Sequence, residues 1–245
     1  MSGRLVVVGI GPGGDGLITP ETAAALGAAD DLVGYGPYLA RVEARPDQVL
    51  HGSDNRVELD RARHALGLAC SGRQVALVSG GDPGVFAMAS AVFEALEDGP
   101  EAWRDLDIVV LPGISAMFAA AARLGAPLGH DFCAISLSDN LKPWTLVLAR
   151  LRAAAAAGFV IALYNPASRA RPWQLGAAFE ALREVLPGET VVAFATAVTR
   201  PDERMVVATL EAADPALADM RTLVLVGSAA TRCVGRWVYT PRRAT

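Results

Sequence analysis

Three short aliphatic runs that stop at glycine or at proline-glycine constrain this chain more than any other feature. Leu5-Val6-Val7-Val8 ends at Gly9, Gln74–Ser79 runs into Gly80-Gly81-Asp82-Pro83-Gly84, and Leu106–Leu111 ends at Pro112-Gly113. Apolar runs without polar alternation suit strands buried on both faces, the condition of a parallel sheet. Helical patterns lie between them. Thr19-Pro20-Glu21 supplies an N-cap, a proline at the first helical position and an acid in the first turn. Arg56–Ala69 and Val85–Leu96 carry apolar residues at helical spacing, and Asp31–Gly34 reads as a second strand. Strand–helix alternation predicts an α/β fold with helices on both faces of a parallel sheet.

The second half repeats the class without repeating the sequence. Helices are expected at Ser115–Leu124, Pro143–Ala156 and Trp173–Leu186, and strands at Phe132–Leu137, Phe159–Leu163 and Thr190–Ala195. Arg204–Ala208, Thr222–Val226 and Trp237-Val238-Tyr239 then follow with short connections, which predicts a mixed sheet at the C-terminal end. The Pro112–Ser115 break divides the chain into two expected α/β domains, 1–113 and 114–245.

Composition narrows the function. The 245 residues are 52% hydrophobic and 20% charged, with net charge −4 and no Lys/Arg run, which argues against disorder and against a nucleic-acid partner. Mean hydropathy is +0.33. The longest apolar stretch, Ala153–Tyr164, is nevertheless shorter than the roughly 20 residues of a spanning helix. Met1-Ser2-Gly3-Arg4 leads straight into a strand without a signal-peptide pattern. The expectation is a soluble, cytoplasmic protein with no membrane partner. Cys70, Cys133 and Cys233 form no C-x-x-C pair and are read as small buried hydrophobes; His51, His64 and His130 lack metal-ligand spacing, so no metal is expected.

Five strand-end loops hold the candidate chemistry. Gly9-Ile10-Gly11-Pro12-Gly13-Gly14 satisfies G-x-G-x-x-G, the mark of a nicotinamide-binding oxidoreductase. Pro12 interrupts it, however, the helix start waits until Thr19, and no acid ends the second strand. Ser79–Gly84 offers open backbone to a flat ligand, with Asp82 as an acceptor or as a cap for the next helix. Pro112–Ala116 places Ser115 as a helix N-cap. Ser136–Asn140 is densely polar, and Tyr164-Asn165-Pro166 is followed by Ser168, Arg169 and Arg171. No Ser/His/Asp set, Cys/His pair or metal cluster assembles, which favours chemistry supplied by a cofactor.

Gly9–Gly13, Gly81–Gly84 and Pro112–Ala116, in that order, resemble the tetrapyrrole (corrin/porphyrin) methyltransferase family. The likeness sharpens at Gly34-Tyr35, Leu124–Leu128, His130–Cys133, Ser136–Asp139, Pro143-Trp144, Tyr164-Asn165-Pro166 and Ser168-Arg169, toward the ring-contracting branch of cobalamin synthesis. The resemblance implies two α/β domains with S-adenosylmethionine in the cleft between them, and a homodimer. It implies methylation of precorrin-3B at C-17 with contraction to precorrin-4, S-adenosylhomocysteine being the other product; a relative acts on cobalt-factor III. Carried over by position, Gly80, Gly81, Asp82, Pro83, Val85, Phe86, Ser115, Ala116, Tyr164, Asn165, Ala195 and Thr196 would hold the cofactor. Gly9, Gly11, Pro12 and Gly13 would flank the substrate, and Arg169, Arg171 and Arg200 would meet its carboxylates. Contraction needs a proton acceptor, a task assigned to Asp139 and Ser138 with His130 second. A non-catalytic tetrapyrrole carrier is the remaining reading.

Overall fold

A computed structural model describes residues 3–55, 57–168 and 171–243. The chain divides into two compact units, Met1–Ser115 and Ala116–Thr245. The first contains β1 (Arg4–Gly9), α1 (Pro20–Ala28), β2 (Asp31–Tyr35), α2 (Gly36–Leu39), β3 (Val49–Ser53), α3 (Glu58–Cys70), β4 (Gln74–Ser79), α4 (Met88–Glu97) and β5 (Asp107–Leu111). Its sheet runs β3-β2-β4-β1-β5 and every pairing is parallel. Alternate side chains of one strand therefore enter different layers. Leu5 and Val7 pack with Ala62, Leu66 and Val92 of α3 and α4, while Val8 packs with Leu26 of α1 and with Leu39. The Thr19 cap forms as read, its Oγ1 accepting from Thr22 N at 3.2 Å.

The second unit contains α5 (Ala116–Leu124), β6 (Gly125–Ala126), β7 (Phe132–Ser136), α6 (Trp144–Ala156), β8 (Val160–Tyr164), α7 (Gln174–Arg183), β9 (Val191–Thr196), β10 (Arg204–Thr209), β11 (Thr222–Val226), β12 (Arg232–Val234) and β13 (Trp237–Tyr239). The sheet β10-β9-β11-β8-β7 is mixed, with β7 and β8 its parallel pair. Leu151, Leu175, Phe179 and Phe194 fill its core, each such burial stabilising by about 1.5–3 kcal/mol. Phe179 and Phe194 meet edge to face, centroids 6.1 Å apart.

Three expectations need correction, and two elements were not foreseen. Trp237–Tyr239 leaves the mixed sheet and builds a separate three-stranded one with β6 and β12. Strand β3 and helix α2 carried no signal, because β3 is an edge strand whose Val49 and Leu50 stay exposed. Helix α4 starts at Met88 rather than Val85, since Phe86 turns at φ +52°. Cys70 and Cys233 are exposed rather than buried. Among the described residues no helix is long and apolar enough to cross a membrane.

Candidate functional site

Parallel strands deliver their outgoing loops to one edge of the sheet, and in the first unit three of these loops touch backbone to backbone. Gly11 and Gly81 exchange hydrogen bonds, N–H to C=O at 3.2 and 3.0 Å. A Cβ on Gly113 would stand 2.2 Å from the Gly81 carbonyl oxygen, and one on Gly9 would stand 2.7 Å from the same atom. Only glycine permits this approach. Gly81 also needs its freedom at φ +64°. The Arg41 guanidinium closes the first loop, donating to the carbonyls of Ile10, Gly11 and Gly13 at 3.0 Å each.

Asp82 joins two of these loops. Its Oδ1 accepts from Gly84 N at 2.8 Å and its Oδ2 from Gly113 N at 3.0 Å. It therefore does not cap α4, and both oxygens already work within the unit. Pro83 is buried, Val85 half-buried, and Phe86 lies 51% exposed in its left-handed turn. Ser115 is 2% exposed, and its Oγ has no hydrogen-bond partner among the described residues. It was expected to cap α5; its hydroxyl is instead a buried group without a bond, next to the Gly81 turn. An open glycine backbone beside an unsatisfied hydroxyl suits a polar, flat cofactor.

The second unit builds its strand ends from side chains. Asn165 turns at φ +53° after β8, and its Nδ2 donates to Ser136 Oγ at 2.9 Å. The same oxygen accepts from Ser138 N at 3.3 Å. Tyr164 Oη accepts from Met117 N at 3.2 Å, tying β8 to α5. Ala197 (φ +49°) and Thr199 (φ +66°) form a strained turn directly after Ala195 and Thr196. Both of those residues are buried, and the Thr196 hydroxyl pairs with Thr222 Oγ1 at 2.9 Å. Among the described residues the four left-handed non-glycine residues, Phe86 of the first unit included, follow β4, β8 or β9.

Asp139 and Arg171, expected to serve separately as base and substrate ligand, bind each other in an ion pair, and Gln174 Nε2 donates to Asp139 at 3.2 Å. The hydrogen bond from Arg171 holds the Asp139 carboxyl below its ordinary pKa, which suits an acceptor and weakens a base. His130 sits at the opposite end of β7 from Ser138 and Asp139, its Nδ1 accepting from Asp131 N at 2.8 Å, so the structure does not bring the three together. Arg169 lies outside the described residues. Gly9 and Gly11 are buried in the loop crossing, with Pro12 and Gly13 half-buried beside it. Sequence reasoning named Arg200, whose N–H donates to the Ala197 carbonyl at 3.0 Å, but missed Arg41 and the left-handed turn at Ala197 and Thr199; alanine and threonine carry no turn signal, and one arginine among many carries none of its target.

A family profile described as Tetrapyrrole (Corrin/Porphyrin) Methylases matches residues 4–214. The chain belongs to this family. It is 60% identical to a precorrin-3B C(17)-methyltransferase of a Sinorhizobium species, over 99% of this chain and 97% of the relative. It is 40% identical to a probable cobalt-factor III C(17)-methyltransferase of Salmonella typhimurium, over 98% of this chain and 99% of the relative. The crystal structure of the methyltransferase CobJ shares the fold at TM-score 0.95 and 58% identity, covering 98% of this chain and 100% of that one. The chain is accordingly an enzyme of the methyltransferase class, with the parallel and mixed sheets of that fold.

Proposed function

We propose that the chain methylates precorrin-3B at C-17 with S-adenosylmethionine and contracts the macrocycle to precorrin-4, in cobalamin synthesis. The near-full-length kinship with the Sinorhizobium enzyme carries this reading, and the lower identity to the cobalt-factor III enzyme orders the two substrates. The cofactor supplies a methyl group on a positively charged sulfur. Residues Gly80, Gly81, Pro83, Val85, Phe86, Ser115 and Ala116 would hold it, with Tyr164, Asn165, Ala195 and Thr196 contributing from the second unit. Asp82 acts as a positioning residue through its bonds to Gly84 and Gly113.

Methyl transfer is an in-line displacement, so the protein's task is to align donor and carbon and to exclude water. Backbone groups fixed by the Gly11–Gly81 crossing do this without flexible side chains. Contraction releases the proton of a tertiary hydroxyl on the substrate; we assign Ser138 and Asp139 to accepting the hydrogen bond from that hydroxyl, and the proton passes on to solvent water. The expected product state is a cytoplasmic homodimer carrying no metal of its own.

The test incubates purified protein and S-adenosylmethionine separately with precorrin-3B and with cobalt-factor III and follows product mass. Gain of one methyl on precorrin-3B alone is expected. Gain on the cobalt form alone would move the enzyme to the cobalt-containing route, and gain on neither would overturn the reading.

A further inference from the structure

A buried cation stands at the carboxyl end of β3 without a charged partner. Arg61 of α3 is 5% exposed. Its Nε donates to Ser53 Oγ at 2.8 Å, its Nη2 to the Asp54 carbonyl at 2.6 Å, and its Nη1 to Met88 Sδ at 3.3 Å. All three acceptors are uncharged. Among the described residues no carboxylate pairs with it: Glu58 acts on it only through space, and Asp60 pairs with Arg63 at 3.2 Å. Burial lowers the guanidinium's pKa from its ordinary value. Buried charges are normally paired, because leaving one alone in low dielectric is costly.

The cation borders open space. A cavity of ≈ 350 Å³ between β3 and α3 is lined by His51, Ser53, Val57, Arg61, His64 and the Arg63-paired Asp60, among others. A second hollow of ≈ 230 Å³ shares Gly52 and Ser53 with it and reaches Gly36 and Asp54. Ser53 and Tyr35 pair at the carboxyl ends of their parallel strands, the edge on which the glycine loops lie. Met88, the first residue of α4, links Arg61 to the end of the Gly80–Ala87 loop.

We propose that Arg61, held in place by Ser53, receives a carboxylate of the substrate, an acetate or propionate arm of the tetrapyrrole, in this hollow. The identity of the ligand rests on the function proposed above. Three of the guanidinium's five N–H groups serve the protein, and its planar fork suits the carboxylate. The hollow admits a side arm and leaves the macrocycle outside, so Arg61 orients the ring rather than touching reacting atoms.

Two measurements test this. Propionate titrated into ¹⁵N-arginine-labelled protein should move the Arg61 Nε signal, assigned by its loss in Arg61→Met. A signal that stays still overturns the inference whether or not precorrin-3B is methylated, and a moving signal without methylation counts against the proposed function alone. Ser53→Asp places an internal carboxylate on the guanidinium. It should hold or raise Tm, raise KM for precorrin-3B about tenfold or more, and leave S-adenosylhomocysteine affinity unchanged. Ser53→Asn, of the same size and neutral, should raise KM several-fold less. A raised Tm with unchanged KM in Ser53→Asp would make Arg61 a structural cation and overturn the inference.

Discussion

The two units solve the same problem, a rigid strand-end surface, by opposite means. In the first, side chains are removed until three loops touch through backbone, with Gly113 and Gly9 meeting the Gly81 carbonyl. In the second, side chains saturate one another: Asn165 with Ser136, Asp139 with Arg171, Thr196 with Thr222. The first leaves open peptide groups and the buried Ser115 hydroxyl, while in the second the buried atoms without a bond among the described residues include Ser168 Oγ and Gln174 Oε1, beside the Asp139–Arg171 pair. The contrast teaches that a site can be preorganised by what is absent.

Gly113→Ala breaks the comparison hardest. A Cβ so near a backbone oxygen cannot be absorbed by a rotamer change, so the loss should reach about 3 kcal/mol. Urea unfolding should show it, with S-adenosylhomocysteine binding lost in parallel. Asn165→Ala removes the Ser136 bond and places alanine at φ +53°, for an expected cost of about 1–2 kcal/mol. Thermal unfolding should report that loss, together with slower turnover.

Asp139→Asn should slow contraction more than it weakens cofactor binding, and unchanged precorrin-4 formation would remove Asp139 from the mechanism. Its carboxyl pKa is held down by the Arg171 hydrogen bond. The wild-type pair is therefore present above the ordinary carboxyl pKa and lost as pH falls through the depressed one. A pH–rate profile should accordingly show no inflection from this group between about pH 5 and 8. Phe86→Gly has the smallest expected effect on stability. Relief at φ +52° offsets the lost packing of a half-exposed ring, so Tm should stay or rise while S-adenosylhomocysteine affinity falls.

Legibility in the sequence followed the same division. Uninterrupted aliphatic runs such as Val75–Val78 and Val160–Leu163 announced strands, and glycines at their ends announced loops, because both signals are local. The family motifs marked the same loops. Strand β3 was illegible because an edge strand buries too little to need a pattern. The Asp139–Arg171 pair spans 32 positions and Arg41 reaches its loop across about 30, so neither partner marks the other locally. Arg61 went unread because the apolar residues around it in α3, Ala62, Ala65 and Leu66, announce a helix whether or not a cation shares their buried face.

The most direct measurement is a crystal structure of the chain grown with S-adenosylhomocysteine. The ligand should lie against the backbone of Gly81 and the Val85–Phe86 turn, with a hydrogen bond completing Ser115 Oγ. A ligand resting instead on Gly11–Gly14, with the Ser115 hydroxyl still unbonded, would contradict the account.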